Sequence, residues 1–429
     1  MGFPRRAAAT GAGKDQTSTI RCFFTTAILA STVPDTLAFT PQERHATFAL
    51  AGVFFLRMLG LFMLVPVLAL YANQLAGATP LMVGLTLGIY GLTQACLQIP
   101  FGSWSDRIGR RPVIAIGLVI FTVGSVIAAG AHHILPILLG RAVQGAGAVS
   151  GATLALAADL TRESQRTKVM AIIGVSIGSA FSVAFVIGPL IDSAVGLQGL
   201  FMASGLAGAL ALPVLWLLVP VPPTRSARRS APIVWAAVAA PQLRVLYFGV
   251  LALHLVLAAS FVAIPVDLRE GLGLASAHHH RVYLPVLLVS ILLVAPLIRL
   301  SMKPGWLLPV SRLAIGLLAV AELLLWLGWH HPIGTYVALT AFFTAFNFLE
   351  SSLPSLISRL APPAYKGTAL GAYATCQFLG MFIGGTLGGW VAGRFGFACV
   401  PALCAGLCLV WLTGALRAAD GGWESHVKD

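Results

Sequence analysis

From about Phe48 onward the sequence is built of apolar runs of roughly 20 residues separated by short turns, and this constrains the fold more than any other feature. A run of that length, wound as a helix at about 1.5 Å per residue, crosses the ~30 Å hydrocarbon core of a bilayer. The runs fall near 48–71, 81–104, 112–131, 134–157, 169–191, 200–219, 243–266, 282–300, 306–328, 333–356, 368–392 and 396–416. In hydrocarbon each segment has to satisfy its own backbone N–H and C=O groups, so each run is predicted as a helix. The expected fold class is all-α integral membrane, with twelve transmembrane helices. Composition agrees, since 58% of residues are hydrophobic against roughly 45–50% apolar in soluble domains. The 45 Gly and 25 Pro fit a membrane bundle, where small residues let helices approach and neighbours re-satisfy freed backbone groups.

The short turns carry the topology. After even-numbered runs they hold Arg107, Arg110 and Arg111; Arg162, Arg166 and Lys168; Arg225, Arg228 and Arg229; Arg299 and Lys303; Arg359 and Lys366. After odd-numbered runs there are only Arg269, Arg281 and Arg394. The positive-inside rule puts the even turns, and both termini, in the cytoplasm of a cell bounded by an inner (plasma) membrane. The net charge of +13 sits on these turns without any aromatic-interleaved patch, so the expected partners are anionic lipid head groups of the bilayer and not nucleic acid. Cys22, Cys96, Cys376, Cys399, Cys404 and Cys408 have no zinc spacing and read as small buried hydrophobes.

Residues 1–45 are basic, Ser/Thr-rich and acid-poor, and read as a disordered or leader-like extension. The segment "VPPTRSARRSAP" lacks apolar periodicity and reads as a linker (221–242) between two six-helix halves, 46–220 and 243–418, followed by a tail, 419–429. An internal repeat supports the halves: Arg162 and Arg359, Gly174 and Gly371, and Gly188 and Gly385 are each 197 positions apart (359 less 162).

One turn is unusually crowded. In "GSWSDRIGRRP", Asp106, Arg107, Arg110 and Arg111 lie between Gly102 and Pro112 in a chain only 10% charged. Gly102 admits a neighbouring helix, Gly109 permits a sharp turn, and Pro112 suits the first turn of a helix. Asp106 can accept from a helix N-terminus or a guanidinium, and Arg110 can fork onto Asp159 at the end of the fourth run.

These residues resemble the G-x-x-x-D-R-x-G-R-R signature of the major facilitator superfamily. "RAVQGAGA" (Arg141 to Ala148) resembles its helix-4 motif, "IGPLID", with Gly188 and Pro189, its helix-5 antiporter motif, and "GAYATCQFLGMFIGGTLGGW" the helix-11 counterpart. The likeness is to the drug:proton antiporters, and within them to the YajR-like branch through "RMLGLFMLVPVL", "DLTRESQRTK" and "FNFLESSLPSLISRLAPPAYKGTALG". The resemblance implies two pseudo-symmetric six-helix halves and a conformational latch. In that latch Asp106 caps the start of helix 11 near Gly367 and Thr368, with Arg110 and Asp159 as an accompanying relay. It also implies a proton-coupling role for Arg141. Two departures stand out: the 8–9 turn has Arg299 and Lys303 but no Asp, and the Gly-Pro motif runs on to Asp192 where many antiporters have a glycine pair. With helix 12 expected to end about a dozen residues before Asp429, the soluble C-terminal domain of some branch members is expected to be missing.

A charge at mid-bilayer costs about 2.5–3.5 kcal/mol on insertion scales, so each invites a role. Glu350 is the leading proton carrier, with His254 and Glu322 as further titratable candidates. Arg57 is expected to line the central cavity and pair with an anionic substrate or a carboxylate. Tyr90, Gln94 and Gln98 recur at i, i+4 and i+8, on one helix face, and with Asn347 and Gln377 complete the expected substrate cavity. The pairs and triplet His132-His133, His278-His279-His280 and His330-His331 fall in turns expected outside; solvated loop histidines are favoured over a metal site. No cofactor is expected, and the absence of a Gly-x4-Gly-Lys-Ser/Thr loop or a hydrolase constellation argues against ATP drive and catalysis. The expectation is a monomeric transporter that exports a small amphipathic molecule in exchange for protons by alternating access. Symport or uniport of an anionic metabolite on Arg57 is the alternative.

Overall fold

The computed structural model describes residues 39–71, 74–221, 240–362 and 365–417. The extension up to residue 38 with Cys22, the linker from 222 to 239 with Arg225, Arg228 and Arg229, and the tail from 418 lie outside the described residues. In chain order the helices are α1 (Pro41–Phe62), α2 (Pro80–Ile108), α3 (Arg110–Ala129) and α4 in two pieces (Ile134–Ala146 and Ser150–Asp159). One stretch, Arg166–Pro213, is divided by Gly196 (φ 70°) into α5 before it and α6 after it. The second half follows as α7 (Pro241–Val266), α8 (His280–Ser301), α9 (Leu307–Leu327), α10 (Pro332–Leu360), α11 (Lys366–Phe395) and α12 (Cys399–Arg417). The described residues contain no strand, only an isolated bridge between Ala76 and His133.

Local chemistry sets these boundaries. Pro41, Pro80, Pro241 and Pro332 occupy first turns, where a missing N–H costs nothing. Thr40 caps α1 through a full capping box with Glu43, and Thr79 caps α2 by accepting from the Met82 N–H. The first helix is therefore offset from the expected run: it begins at Pro41, inside the segment read as extension, and stops at Phe62. The residues up to Tyr71 form turns and a short 3₁₀ segment (Leu68–Tyr71). Hydrophobicity alone missed this, because the start is signalled by polar capping residues. The fourth run is also broken: the chain leaves helical geometry at Gly147 (ψ 55°), and the Ala148 and Val149 N–H groups donate to the Ala146 and Gly147 carbonyls, only two residues back.

Alternate turns make two distinct ends. The basic end carries Arg110, Arg162, Lys303 and Arg359, and the histidine end carries His133, His279 and His330. The halves meet towards the histidine end. There α2 and α11 cross at glycines, and a Cβ on Gly88 would stand 2.7 Å from the Phe382 carbonyl oxygen. Gly84 likewise faces Gly385 and Gly389, and Gly91 faces Phe378. Beside this seam the rings of Phe181 and Phe185 on α5 pack on Phe343 at 5.9 Å each, and Phe185 also meets Phe261 and Tyr283. The Arg269 guanidinium donates to the Leu70 carbonyl across the same boundary at 2.8 Å. A continuous buried cluster accordingly runs from the second half into Leu64, Phe181 and Phe185, while Leu50, Phe54, Leu118 and Leu156 belong to a second cluster centred on the first half. Nearer the basic end, Gly102 has no heavy atom within 4 Å of where a Cβ would stand.

Candidate functional site

The first-half wall of the site is organised by Arg57, whose residue is 1% exposed. Its Nη2 donates to the Tyr90 hydroxyl (2.9 Å), the Gln94 Oε1 (2.8 Å) and the Gly147 carbonyl (3.0 Å), and its Nη1 to the Ser150 hydroxyl (3.3 Å). The break in α4 therefore has a job: it turns a helix carbonyl outward to receive a buried guanidinium. Gln94 passes its amide N–H to Gln98 at 3.1 Å, so Tyr90, Gln94 and Gln98 share one face as expected. The expected carboxylate partner of Arg57 is not present among the described residues, and four neutral acceptors take its place.

A second arginine lies on the other side of Tyr90. Arg141, also 1% exposed, donates to the Gln144 Oε1 at 2.9 Å and to the carbonyls of Thr86 and Leu87 at 3.4 Å. Its guanidinium carbon stands 4.8 Å from the centre of the Tyr90 ring, a cation–π distance. Tyr90 thus touches one buried cation with its hydroxyl and the other with its face. Its edge reaches Phe378 of α11 at 6.4 Å, which ties this wall to the second half.

The second-half wall is built around a carboxyl. The Gln377 Nε2 donates to the Glu350 Oε1 (3.1 Å) and to the His254 Nε2 (2.8 Å). The His254 Nδ1 faces the Val250 carbonyl at 3.0 Å, which assigns the ring proton to Nδ1 and leaves Nε2 as an acceptor for the amide. The Glu350 Oε2 is 3.4 Å from the His254 Nε2 and has no hydrogen-bond partner. No Lys or Arg pairs with Glu350 among the described residues, and 35% of its side chain is exposed. Asn347 sits one turn before it and donates to Ser290 at 3.4 Å. The structure therefore brings Glu350, His254 and Gln377 together.

Glu322 stands apart. It is fully buried, bonded at 2.6 Å to the Ser260 hydroxyl of α7, with Cys404 of α12 behind that hydroxyl. The crowded turn sits at the basic end. Asp106 pairs with Arg110, which also reaches Asp159 (3.3 Å) and the Ser105 hydroxyl (2.6 Å). Among the described residues Asp106 makes no bond to Thr368 or elsewhere on α11, so the expected cap on that helix is not engaged in this state. Gly109 has φ 100° and makes the turn, Arg107 is exposed, and Arg111 is held at the end of α6 by the Leu215 and Trp216 carbonyls (3.1 and 2.8 Å). Gly188 packs on the Met63 carbonyl, and Pro189 stays within α5. Asp192 accepts from the Tyr71 hydroxyl at 2.6 Å.

Sequence reasoning missed Ser150 and Gln144, which complete the two arginine nests, and Glu43, which holds Arg162 through its backbone N–H and its guanidinium (2.8–2.9 Å). The capping-box spacing Thr40 to Glu43 was a usable signal. The histidines have local structural uses: His133 and His331 cap helices, and His330 bonds Asp267 at 2.9 Å. Among the described residues no group of three or more His, Cys, Asp or Glu is placed to hold a metal.

The family described as Major Facilitator Superfamily matches residues 50–385. The chain is similar to the inner membrane transport protein YajR of Escherichia coli, 45% identical over 393 residues that cover 91% of this chain and 86% of that one. An uncharacterized transporter of Buchnera aphidicola subsp. Acyrthosiphon pisum is 33% identical over 347 residues, covering 80% and 89%. Among solved structures, a bacterial homolog of the human lysosomal transporter Spinster, inward-facing and unoccupied, superposes with a TM-score of 0.67 at 18% identity over 91% of this chain and 95% of that one.

Proposed function

This chain belongs to the major facilitator superfamily, and from that premise we propose that it is a proton-coupled exporter of a small amphipathic molecule, with Glu350 as its exchangeable proton site. That it is a membrane transporter and not an enzyme follows from the family. Direction and coupling rest on the site. The observation that carries the reading is the Glu350 Oε2, which lies at the wall of the site with no donor, no cation beside it and a histidine nitrogen 3.4 Å away. A proton held on this carboxyl removes the charge that a polar or cationic group of the substrate would meet there, and such mutual exclusion is what exchange requires. Charged and neutral forms of a carboxyl differ greatly in low dielectric, so gain of the proton changes which arrangement of the halves is favoured.

The positive-inside rule supports reading the basic end as cytoplasmic, with both termini on that side. On that assignment the halves are closed outside, by α2 against α11 and the aromatic seam, and the site opens inward. Arg57 and Arg141 keep the facing wall positive, and Tyr90, Gln94, Gln98, Asn347 and Gln377 supply the polar contacts. Asp106 caps α11 only when the inside closes, which agrees with its lack of a bond there now. Glu322, buried behind α7, and Arg141 are secondary participants in proton movement.

The test is flux in proteoliposomes across a panel of amphipathic cations, anions and sugars. The expected result is substrate-triggered proton movement that Glu350→Gln abolishes. Flux that is identical with the gradient collapsed and in the variant would sink the reading. A second reading, symport or uniport of an anionic metabolite, is favoured by the neutral partners of Arg57, which leave its charge uncompensated. It predicts that anions alone from the panel are carried.

A further inference from the structure

At the histidine end the halves are joined by packing and, among the described residues, by one hydrogen bond: the Arg269 Nη1 donates to the Leu70 carbonyl at 2.8 Å. The acceptor carries no net charge, so there is little long-range attraction to find it. Such a bond forms only if both partners are already in place. In this structure each partner is held by a buried carboxyl of its own half.

On the first-half side, Leu70 lies in the 3₁₀ segment Leu68–Tyr71. The next residue, Tyr71, donates its hydroxyl to the Asp192 Oδ1 of α5 at 2.6 Å, and Asp192 is only 7% exposed. This is the aspartate that follows the Gly-Pro motif where many antiporters have a glycine pair, and here it fixes the segment that presents the carbonyl. On the second-half side, Arg269 is the central residue of a widened turn, Asp267–Gly271, at the end of α7. The first residue of that turn, Asp267, is buried. Its Oδ1 accepts from the His330 backbone N–H (3.1 Å) and ring Nδ1 (2.9 Å), and its Oδ2 from the Thr335 hydroxyl (3.3 Å). The last residue, Gly271, lies under the His330 ring, which a Cβ there would strike. His330 itself has φ 69°, uncommon outside glycine, and in that conformation its backbone and its ring reach the same oxygen. The turn is thus pinned at both ends by α10 and the turn before it, and its middle bonds the other half.

We propose that Arg269 and the Leu70 carbonyl form a gate at the histidine end, and that Asp192 and Asp267 are positioning residues for its two sides. Opening this end separates the halves and breaks the Arg269 bond, whereas the bonds of Asp192 and Asp267 each lie within one half and persist. The gate therefore weights closed against open without touching the substrate.

Spin labels at the exposed His132 and His278, in the full chain in lipid nanodiscs, read the spacing of the halves at this end. Arg269→Gln should shift the closed-to-open ratio about tenfold towards open, the scale of a lost hydrogen bond to a charged group. Arg269→Lys, which keeps a cationic donor, should recover part of it. Tyr71→Phe, which releases Asp192, and Asp267→Asn should each shift the ratio several-fold in the same direction. Combining either with Arg269→Gln should add nothing, because a positioning residue acts only through the group it positions. An unchanged distance distribution in Arg269→Gln would overturn the gate. Shifts that multiply in the double variants, or a lower Tm with distances unchanged, would overturn the positioning roles. If Asp267→Asn does not fold, Tyr71→Phe against Arg269→Gln still decides. Neither the transported molecule nor Glu350 enters these readouts.

Discussion

The two halves share a helix order and oppose each other in charge. The first half buries Arg57 and Arg141 among neutral acceptors, while in the second half neither the half-buried Glu350 nor the buried Glu322 is paired with a Lys or Arg among the described residues. At the basic end of the first half, Glu43 pairs with Arg162, and Asp106 and Asp159 pair with Arg110. A duplicated frame therefore does not imply duplicated chemistry. Shape is common because helix packing needs only small residues and apolar surface. Charge is expensive to bury, so each charge stays only where something holds it. If, as proposed, Glu350 exchanges its proton, the attraction between the two walls changes with it.

The sharpest way to break this comparison is Arg57→Leu. It strands the Tyr90 hydroxyl, Gln94, Ser150 and the Gly147 carbonyl in a buried nest, and unsatisfied buried groups cost about 1–3 kcal/mol apiece before relaxation. The expected outcome is loss of monodisperse protein in detergent, with Arg57→Lys folding but transporting poorly. A stable, active Arg57→Leu protein would show that the first-half charge is dispensable. Glu350→Gln comes next. The amide still accepts from Gln377, so Tm should move by no more than about 1 kcal/mol of stability, while proton-driven flux is lost. A large fall in Tm with flux per folded molecule intact would make Glu350 a structural residue, equivalent in kind to Arg57.

Twelve helices and two halves were legible in the sequence because hydrocarbon imposes a length on each span and because Lys and Arg mark one end. The one-face grouping of Tyr90, Gln94 and Gln98 was legible for the same reason, being a matter of periodicity. The partners of Arg57 were not. They come from α2 and from the break in α4, residues 33 to 93 positions away, and spacing along one helix cannot reveal them. Nor could it bring His254, Glu350 and Gln377 together from α7, α10 and α11. The misplaced start of α1 has a different cause, since polar capping residues rather than apolar ones set where that helix begins.

Asp106→Asn should produce a smaller and purely conformational effect. In the present state Asp106 meets only Arg110 among the described residues, so its loss costs this state little and penalises any state in which it caps α11. Spin labels on the basic-end turns of the two halves should report a population shifted to longer distances, and turnover should fall several-fold with KM little changed. An unchanged distance distribution would remove the latch from Asp106 and leave the turn as an Arg-bearing cytoplasmic corner.

The smallest effect is expected from Glu43→Gln, which tests whether the charge matching of the first-half rim is needed for the fold. Glu43 is buried, but 41% of the Arg162 side chain is exposed, so water recovers part of what the lost pair provided. The amide can still accept from the Arg162 backbone N–H, and the capping box keeps one acceptor. The stability loss should be about 1 kcal/mol, seen as a modest fall in Tm that grows less visible as salt is raised, with transport unaffected. A loss as large as that of Arg57→Leu would mean that the rim pair is as indispensable as the buried nest.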